Sequence, residues 1–162
     1  MTPIERVGIG YDNHRTAPDL PLILGGLRIE SDFGLVGHSD ADVVLHALTD
    51  ALLGAAGLPD IGELFPDTDP RFKDADSREL LRDVLSRLDA IGWAPVNVDL
   101  IVHAERPKLS AQKKGIRESL RELLGIDISA ISVKAKTNEG LGPVGEGLAI
   151  ACTAVVGLAK TT

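Results

Sequence analysis

Near the start of the chain the sequence runs RVGIGYDNHR, and within it Asp12 and His14 stand two residues apart. Side chains alternate across a strand, so an extended chain directs both to one face. A carboxylate beside an imidazole is either two arms of a metal site or the polar end of a strand. His46 is a third group of the same kind. It lies in HSDADVVLHALTDALLGAAG, four residues after Asp42 and four before Asp50, so the three form one stripe on a helix. That stripe runs among Val43, Val44, Leu45, Leu48 and Leu52, and must meet something polar. Asp12, His14 and His46 together would supply three N/O ligands and leave a fourth tetrahedral position open, the pattern of a catalytic zinc ion. The ordinary alternatives are a polar strand end and a surface acid–histidine pair, because the spacing is not a diagnostic motif.

Two further groups suit a phosphate. His38 and Ser39 open the histidine-bearing helix, where free N–H groups and the helix dipole favour an anion; a plain N-cap by Ser39 is compatible with that role. In KAKTNEG, Thr137 and Glu139 follow a strand and pair a hydroxyl with a hard carboxylate, a combination fit for phosphate oxygens and Mg2+. The run GLGPVG, Gly140 to Gly145, matches G-x-G-x-x-G. It contains Pro143, leads into a strand-like run instead of a helix, and has no acidic residue about 20 positions further on, so a dinucleotide fold is excluded.

The elements that must position these groups alternate loosely. RVGIGYDN and LPLILGGLRI read as the first two strands, separated by the polar HRTAPD. The first helix follows, with Ser39 and Asp42 in a capping-box arrangement and Gly57 as its stop. LPDIGELFPDTDPRFKDAD carries Pro59, Pro66 and Pro70 with many aspartates, and reads as a long, functional loop with at most one helical turn. A second helix runs from Ser77, its cap, to Ile91, stopped by Gly92; VNVDLIVHA is a strand, SAQKKGIRESLRELLG a third helix, and AISVKAKT and LAIACTAVVGLA the last two strands. The expected fold is α/β of the α+β type: residues 1–162 as one domain, a small sheet of four to five strands, and three main helices on one face.

Composition bounds the function. A chain of 162 residues buries roughly 70% of its unfolded surface and needs no staples. With 44% hydrophobic but only 3% aromatic residues, its core is aliphatic. The net charge of −7 argues against a general nucleic-acid binder. The single cysteine, Cys152, lies in an apolar run, which leaves no disulfide framework and no cysteine-based zinc knuckle. No leader pattern and no apolar run of spanning length is present, so the expectation is a cytoplasmic protein without a membrane partner.

With these residues assembled, the chain resembles the 2-C-methyl-D-erythritol 2,4-cyclodiphosphate synthase family over nearly its whole length. HSDADVVLHALTDALLGAAGLPDIGELFPDTDP carries the most specific likeness, and GYDNH, AERPKL and KTNEGLG follow the family order. The resemblance implies that Asp12, His14 and His46 hold Zn2+, one per subunit, and that Glu139 holds Mg2+ or Mn2+ shared with a diphosphate. It implies transition-state stabilisation by His38 and Thr137, with Ser39 against phosphate. Asp60, Ile61 and Gly62, with the loop Phe65, Pro66, Asp67, Thr68 and Asp69, would bind methylerythritol; Asp42 and Asp50 are candidates for contacts behind the metal ligands or to substrate hydroxyls, with ordinary helix polarity as the alternative. Ala104, Glu105, Arg106, Pro107, Lys108 and Leu109 would face cytidine, together with Ala135, Lys136 and Thr137; Asn138 and Glu139 extend that substrate-binding run. The family is a homotrimer with active sites between subunits. Its substrate is 4-diphosphocytidyl-2-C-methyl-D-erythritol 2-phosphate, whose own 2-phosphate attacks the β-phosphorus and expels CMP.

Two departures accompany the likeness. Family members continue LGFTGRGEG where this chain reads LGPVGEG, so the aromatic and arginine lining an axial isoprenoid diphosphate site are missing, and that ligand is not expected here. Lys136 stands where threonine is frequent, and reads as a surface lysine. His103 matches no ligand position. Two other classes remain open on the sequence: a zinc-dependent hydrolase of nucleoside diphosphate esters on the same site, and a non-catalytic nucleotide-binding trimer, against which the three intact ligand positions argue.

Overall fold

In the computed structural model, which describes residues 3–161, a long strand β1 (Arg6–Pro18) crosses the molecule beside β7 (Ala149–Lys160). With β4 (Phe33–Leu35), β5 (Trp93–His103) and β6 (Ile131–Lys136) they form a five-stranded sheet in the order β4-β1-β7-β5-β6. Only β5 and β6 pair in parallel. Such a pair needs a crossover, and α4 (Lys113–Leu124) makes it. Three helices, α1 (Val43–Ala56), α3 (Ser77–Ala90) and α4, cover one face, as expected; α2 (Ile61–Leu64) and α5 (Gly142–Gly145) are single turns.

Alternation along the strands divides the sheet into two faces. Val98, Leu100 and Val102 of β5, with Cys152, Ala154, Val156 and Leu158 of β7, pack beneath the helices and are buried. On the opposite face Val7, Ile9 and Tyr11 of β1 are 66%, 70% and 59% exposed. On β1 the helix side is occupied by Gly8 and Gly10, then Asp12 and His14. A methyl built on Gly10 would lie 2.0 Å from the Ala47 carbonyl oxygen, and one on Gly8 equally close to that of Ala51. The absence of these side chains lets α1 lie directly on β1, which carries His46 down to Asp12 and His14.

Several local expectations are corrected. LPLILGGLRI is a hairpin, β2 (Leu22–Leu24) and β3 (Leu27–Ile29). Gly25 and Gly26, at φ 65° and 77°, form the two-residue turn that positive φ permits. HRTAPD is no separate connection, since β1 continues through it to pair Thr16–Pro18 with β4, a strand not expected from the sequence. α1 begins at Val43 with Asp42 as its cap, not at Ser39: Ala41 turns at φ 57° and the Asp42 carboxylate accepts from Leu45 N–H. Likewise Asp76, not Ser77, caps α3, and α4 starts at Lys113. GPVG forms the single turn α5, which leads into β7.

Candidate metal centre and substrate cavity

Asp12 and His14 emerge from β1 on the helix side, and His46 reaches them from α1. Asp12 Oδ2 lies 2.9 Å from His14 Nε2 and 3.1 Å from His46 Nδ1, and the two histidine nitrogens are 3.1 Å apart. A tetrahedral ion with bonds of about 2.0–2.1 Å needs ligand atoms about 3.3 Å apart, so the triangle matches to within a few tenths of an ångström. His14 Nδ1 lies 3.0 Å from the Val36 carbonyl oxygen. A carbonyl only accepts, so Nδ1 carries a proton and Nε2 is the ring atom turned to the triad. The three residues are the group among the described residues whose side-chain atoms could hold a metal ion.

Electrostatics favour positive charge at the centre of the triad. Burial works to raise the Asp12 carboxyl, but hydrogen bonds from His14 and His46 outweigh it and hold the group well below the ordinary carboxylate range. Burial lowers His14, and its bond to Asp12 reverses that, leaving it above its ordinary value. Here a cation is wanted among the three side chains, and the protein alone supplies a proton.

The triad floors an open cavity of about 440 Å³. His38, Ser39 and Asp50 line it, as do Ile61, Gly62, Phe65, Pro66 and Asp67. The aspartate-rich loop is held over it by carboxylates of α1 and of the loop itself. Asp50 accepts from Ile61 N–H at 3.0 Å, Asp60 caps α2, and Asp69 caps the helical turn Pro70–Phe72 while pairing with Arg71. The Arg71 guanidinium keeps the Asp69 carboxyl below its ordinary range. His38 Nε2 lies 3.0 Å from the Asp69 carbonyl oxygen and ties the loop back. Thr68 is exposed and lies outside the cavity lining.

Two expectations about this region change. Asp42 does not join His46 and Asp50 in the cavity. It is fully buried and accepts from Gly25, Gly26 and Leu45 N–H groups at 2.8, 2.6 and 3.0 Å. Because its carboxylate fills the start of α1, His38 and Ser39 are cavity groups without being helix-terminus groups. Sequence reasoning also missed Ser77 and Asp40. Ser77 Oγ lies 2.9 Å from His46 Nε2 and donates to Asp40; its only signal was a serine at a helix start.

The remaining expected residues gather elsewhere. Ala104, Glu105 and their neighbours to Leu109 follow β5, and Ala135 to Glu139 end β6 beside them. Ala104 N–H donates to the Lys136 carbonyl, and Glu105 accepts from Asn138 N–H at 2.7 Å. Glu105 thereby holds the turn that carries Glu139, whose φ is 52°. Arg106 stacks over Phe33, while Leu109 is buried; Lys108, Thr137 and Glu139 are exposed, and Pro107 is half-buried. Asp12 pairs with Cys152, Cys152 with Val102, and Val102 with Ala135. Three strand spacings of about 4.8 Å therefore separate the triad from this second cluster by about 14 Å. Within one chain the two clusters do not meet.

Fold and site together define a small α+β domain with an open three-ligand centre suited to a divalent metal ion. The sequence pattern of the YgbB family matches residues 5–159, and the chain belongs to that family. It is 56% identical over 160 residues to a 2-C-methyl-D-erythritol 2,4-cyclodiphosphate synthase of Bordetella avium, covering 99% of both chains. The bifunctional IspDF of Campylobacter jejuni superposes with a TM-score of 0.93 at 42% identity; the match covers 99% of this chain and 43% of that longer one. IspF of Plasmodium falciparum, in complex with CDP, superposes with a TM-score of 0.85 at 38% identity over 97% of each chain.

Proposed function

We propose that this chain catalyses the ring closure of 4-diphosphocytidyl-2-C-methyl-D-erythritol 2-phosphate to 2-C-methyl-D-erythritol 2,4-cyclodiphosphate, in the synthesis of isoprenoid precursors. An oxygen of the 2-phosphate bonds to the β-phosphorus, the bond from that phosphorus to the α–β bridging oxygen breaks, and CMP leaves with the oxygen. The observation that carries the reading is the convergence of Asp12, His14 and His46 at the floor of the cavity, in a chain matching synthases end to end.

The reaction explains what the site lacks as well as what it holds. A phosphate monoester is largely ionised near neutral pH, so the substrate brings its own nucleophile. Cys152 could not serve as one, since burial raises its thiol far above the ordinary range. What the protein must do is hold attacker and leaving group in line and match charge on the transferred group. Asp12, His14 and His46 would hold Zn2+, and Glu139 would hold Mg2+ or Mn2+. When bound, these ions act as Lewis acids that neutralise phosphoryl oxygens. Ser39 donates to phosphate from the cavity wall, beside His38, whose Nε2–H is held by the Asp69 carbonyl oxygen, and Thr137 donates from the second cluster. The loop from Asp60 to Asp69 encloses the methylerythritol carbons and limits water. Backbone groups of Ala104–Leu109 and Ala135–Thr137 read the cytosine.

Because the two clusters stand about 14 Å apart in one chain, we infer that a homotrimer brings the triad of one copy to the Glu139 cluster of the next. The exposed apolar side chains of Val7, Ile9 and Tyr11 on the sheet face away from the helices supply a surface for that contact. Among the described residues no helix is long and apolar enough to cross a membrane; we place the enzyme in the cytoplasm. A phosphorus NMR time course with the cytidylyl substrate, Zn2+ and Mg2+ tests the reaction. Cyclic diphosphate is expected in step with CMP; an open-chain diphosphate beside CMP would make water the nucleophile and the protein a hydrolase.

A further inference from the structure

The imidazole of His46 is held from behind as well as from the front. Its Nδ1 faces Asp12 and His14, while Nε2 lies 2.9 Å from Ser77 Oγ and 3.1 Å from Ser39 Oγ. The two serines differ in what lies beyond them. Ser77 is 1% exposed, and its hydroxyl meets the Asp40 carboxylate, which also accepts from Ser77 N–H at 2.9 Å and from Asp42 N–H at 3.1 Å. A carboxylate only accepts, so the Ser77 hydroxyl proton points at Asp40 and the oxygen lone pair is turned to His46. Ser39 is half-exposed at the cavity and has no carboxylate behind it.

We propose that Ser77, oriented by Asp40, is a positioning residue for the metal centre: it accepts the His46 Nε2 proton and so fixes the tautomer whose Nδ1 lone pair faces Asp12 and His14. The proposal rests on the metal reading of that triad. Ligating histidines depend on such partners for ring orientation and basicity, and their loss weakens metal affinity by about 10–100-fold. The arrangement also joins α3 to the centre. The Asp40 N–H donates to the Ala75 carbonyl and Asp74 N–H to that of His38, so the segment that leads into α3 and the segment that leads into α1 are laced together around His46.

The test is Zn2+ affinity by chelator competition, with the visible absorption of the Co2+-substituted protein as a second readout. It is run on the full chain and on Ser77→Ala, Ser39→Ala, Asp40→Asn and His46→Ala. The alanine at 77 keeps the backbone N–H bond to Asp40, so the change isolates the hydroxyl. Ser77→Ala is expected to weaken Zn2+ binding about 10–100-fold and shift the Co2+ bands with an unchanged far-ultraviolet circular dichroism spectrum of the metal-free protein. Asp40→Asn is expected to give a smaller loss in the same direction, and Ser39→Ala none. Wild-type affinity and bands in Ser77→Ala, with no binding in His46→Ala, would overturn the positioning role and leave the metal reading standing. A loss confined to Ser39→Ala would overturn it likewise. Absence of Zn2+ binding by the unaltered protein would remove both. If Ser77→Ala does not fold, Asp40→Asn decides, and wild-type affinity there overturns the proposal.

Discussion

Asp12 carries two histidine nitrogens on a single carboxylate oxygen, an arrangement that leaves the negative charge shared and the lone pairs of three side chains converging. His46 is the arm that α1 contributes, whereas Asp12 and His14 both come from β1. His46→Ala is expected to lose the bound metal and lower CMP release more than about 100-fold; metal content and a CMP assay check both. Asp42, four residues earlier, has a different duty. Burial pushes its carboxyl up to about 6 against the pull of three backbone N–H donors. Its raised value means that the folded state holds the proton more tightly than the unfolded chain does. The corresponding stability is complete below the ordinary value near 3.8 and is lost as the pH rises through about 6. Asp42→Asn cannot titrate, and places an amide N–H against the Gly26 donor, at a cost of about 1–3 kcal/mol. Urea unfolding of the metal-free proteins should therefore show a larger gap between wild type and variant near about pH 4.5 than near about pH 7.5. A gap that widens toward neutral pH would contradict the assignment.

At the scale of elements, the contact between β1 and α1 makes the site. Gly10 has no room for a methyl, whereas one on Gly54, within α1, would meet only the Ile9 carbonyl oxygen at 3.9 Å. Gly10→Ala must push α1 off β1 and is expected to cost about 1–3 kcal/mol with weaker metal binding, since His46 precedes the obstructing Ala47. Gly54→Ala should instead stabilise by about 0.5–1 kcal/mol as a helix-interior change. Thermal melts and Zn2+ titrations of the pair separate a packing effect from a general one. The strand alternation that put Asp12 and His14 on one face, and the helix that carries His46, were legible because both are local periodicities. The helix start was not. HSDAD offers several capping groups, and the choice of Asp42 is decided by its bonds to Gly25 and Gly26, which a hairpin brings from earlier in the chain. The Gly-Gly turn itself carried a readable signal, masked by the apolar residues on both sides. Ser77 read only as a cap, because nothing local tells that α3 begins against His46.

At the scale of the whole molecule, the sheet order β4-β1-β7-β5-β6 decides which expected residues can cooperate. Thr137 and Glu139 close a strand at the same level as Asp12 but three strands away, a separation invisible in the sequence because it depends on which strands neighbour which. The proposed sharing of the site between copies would turn that separation into a use, and it has a consequence that a site within one chain does not. His46→Ala removes the triad half and Glu139→Gln the other half, so each variant alone should be inactive as a trimer. In trimers reassembled from an equal mixture, each interface draws its triad half from one copy and its Glu139 half from the next. An intact triad comes from the Glu139→Gln copy with a chance of about one half, and an intact Glu139 from the His46→Ala copy with the same chance, so about a quarter of the interfaces regain both halves. Mixing two inactive proteins should then restore about a quarter of wild-type CMP release, and light scattering should give three times the 17.1 kDa chain mass. No recovery from mixed trimers of verified composition would place both halves in one chain, and would require the β6 end of the sheet to move by about three strand spacings to reach the triad.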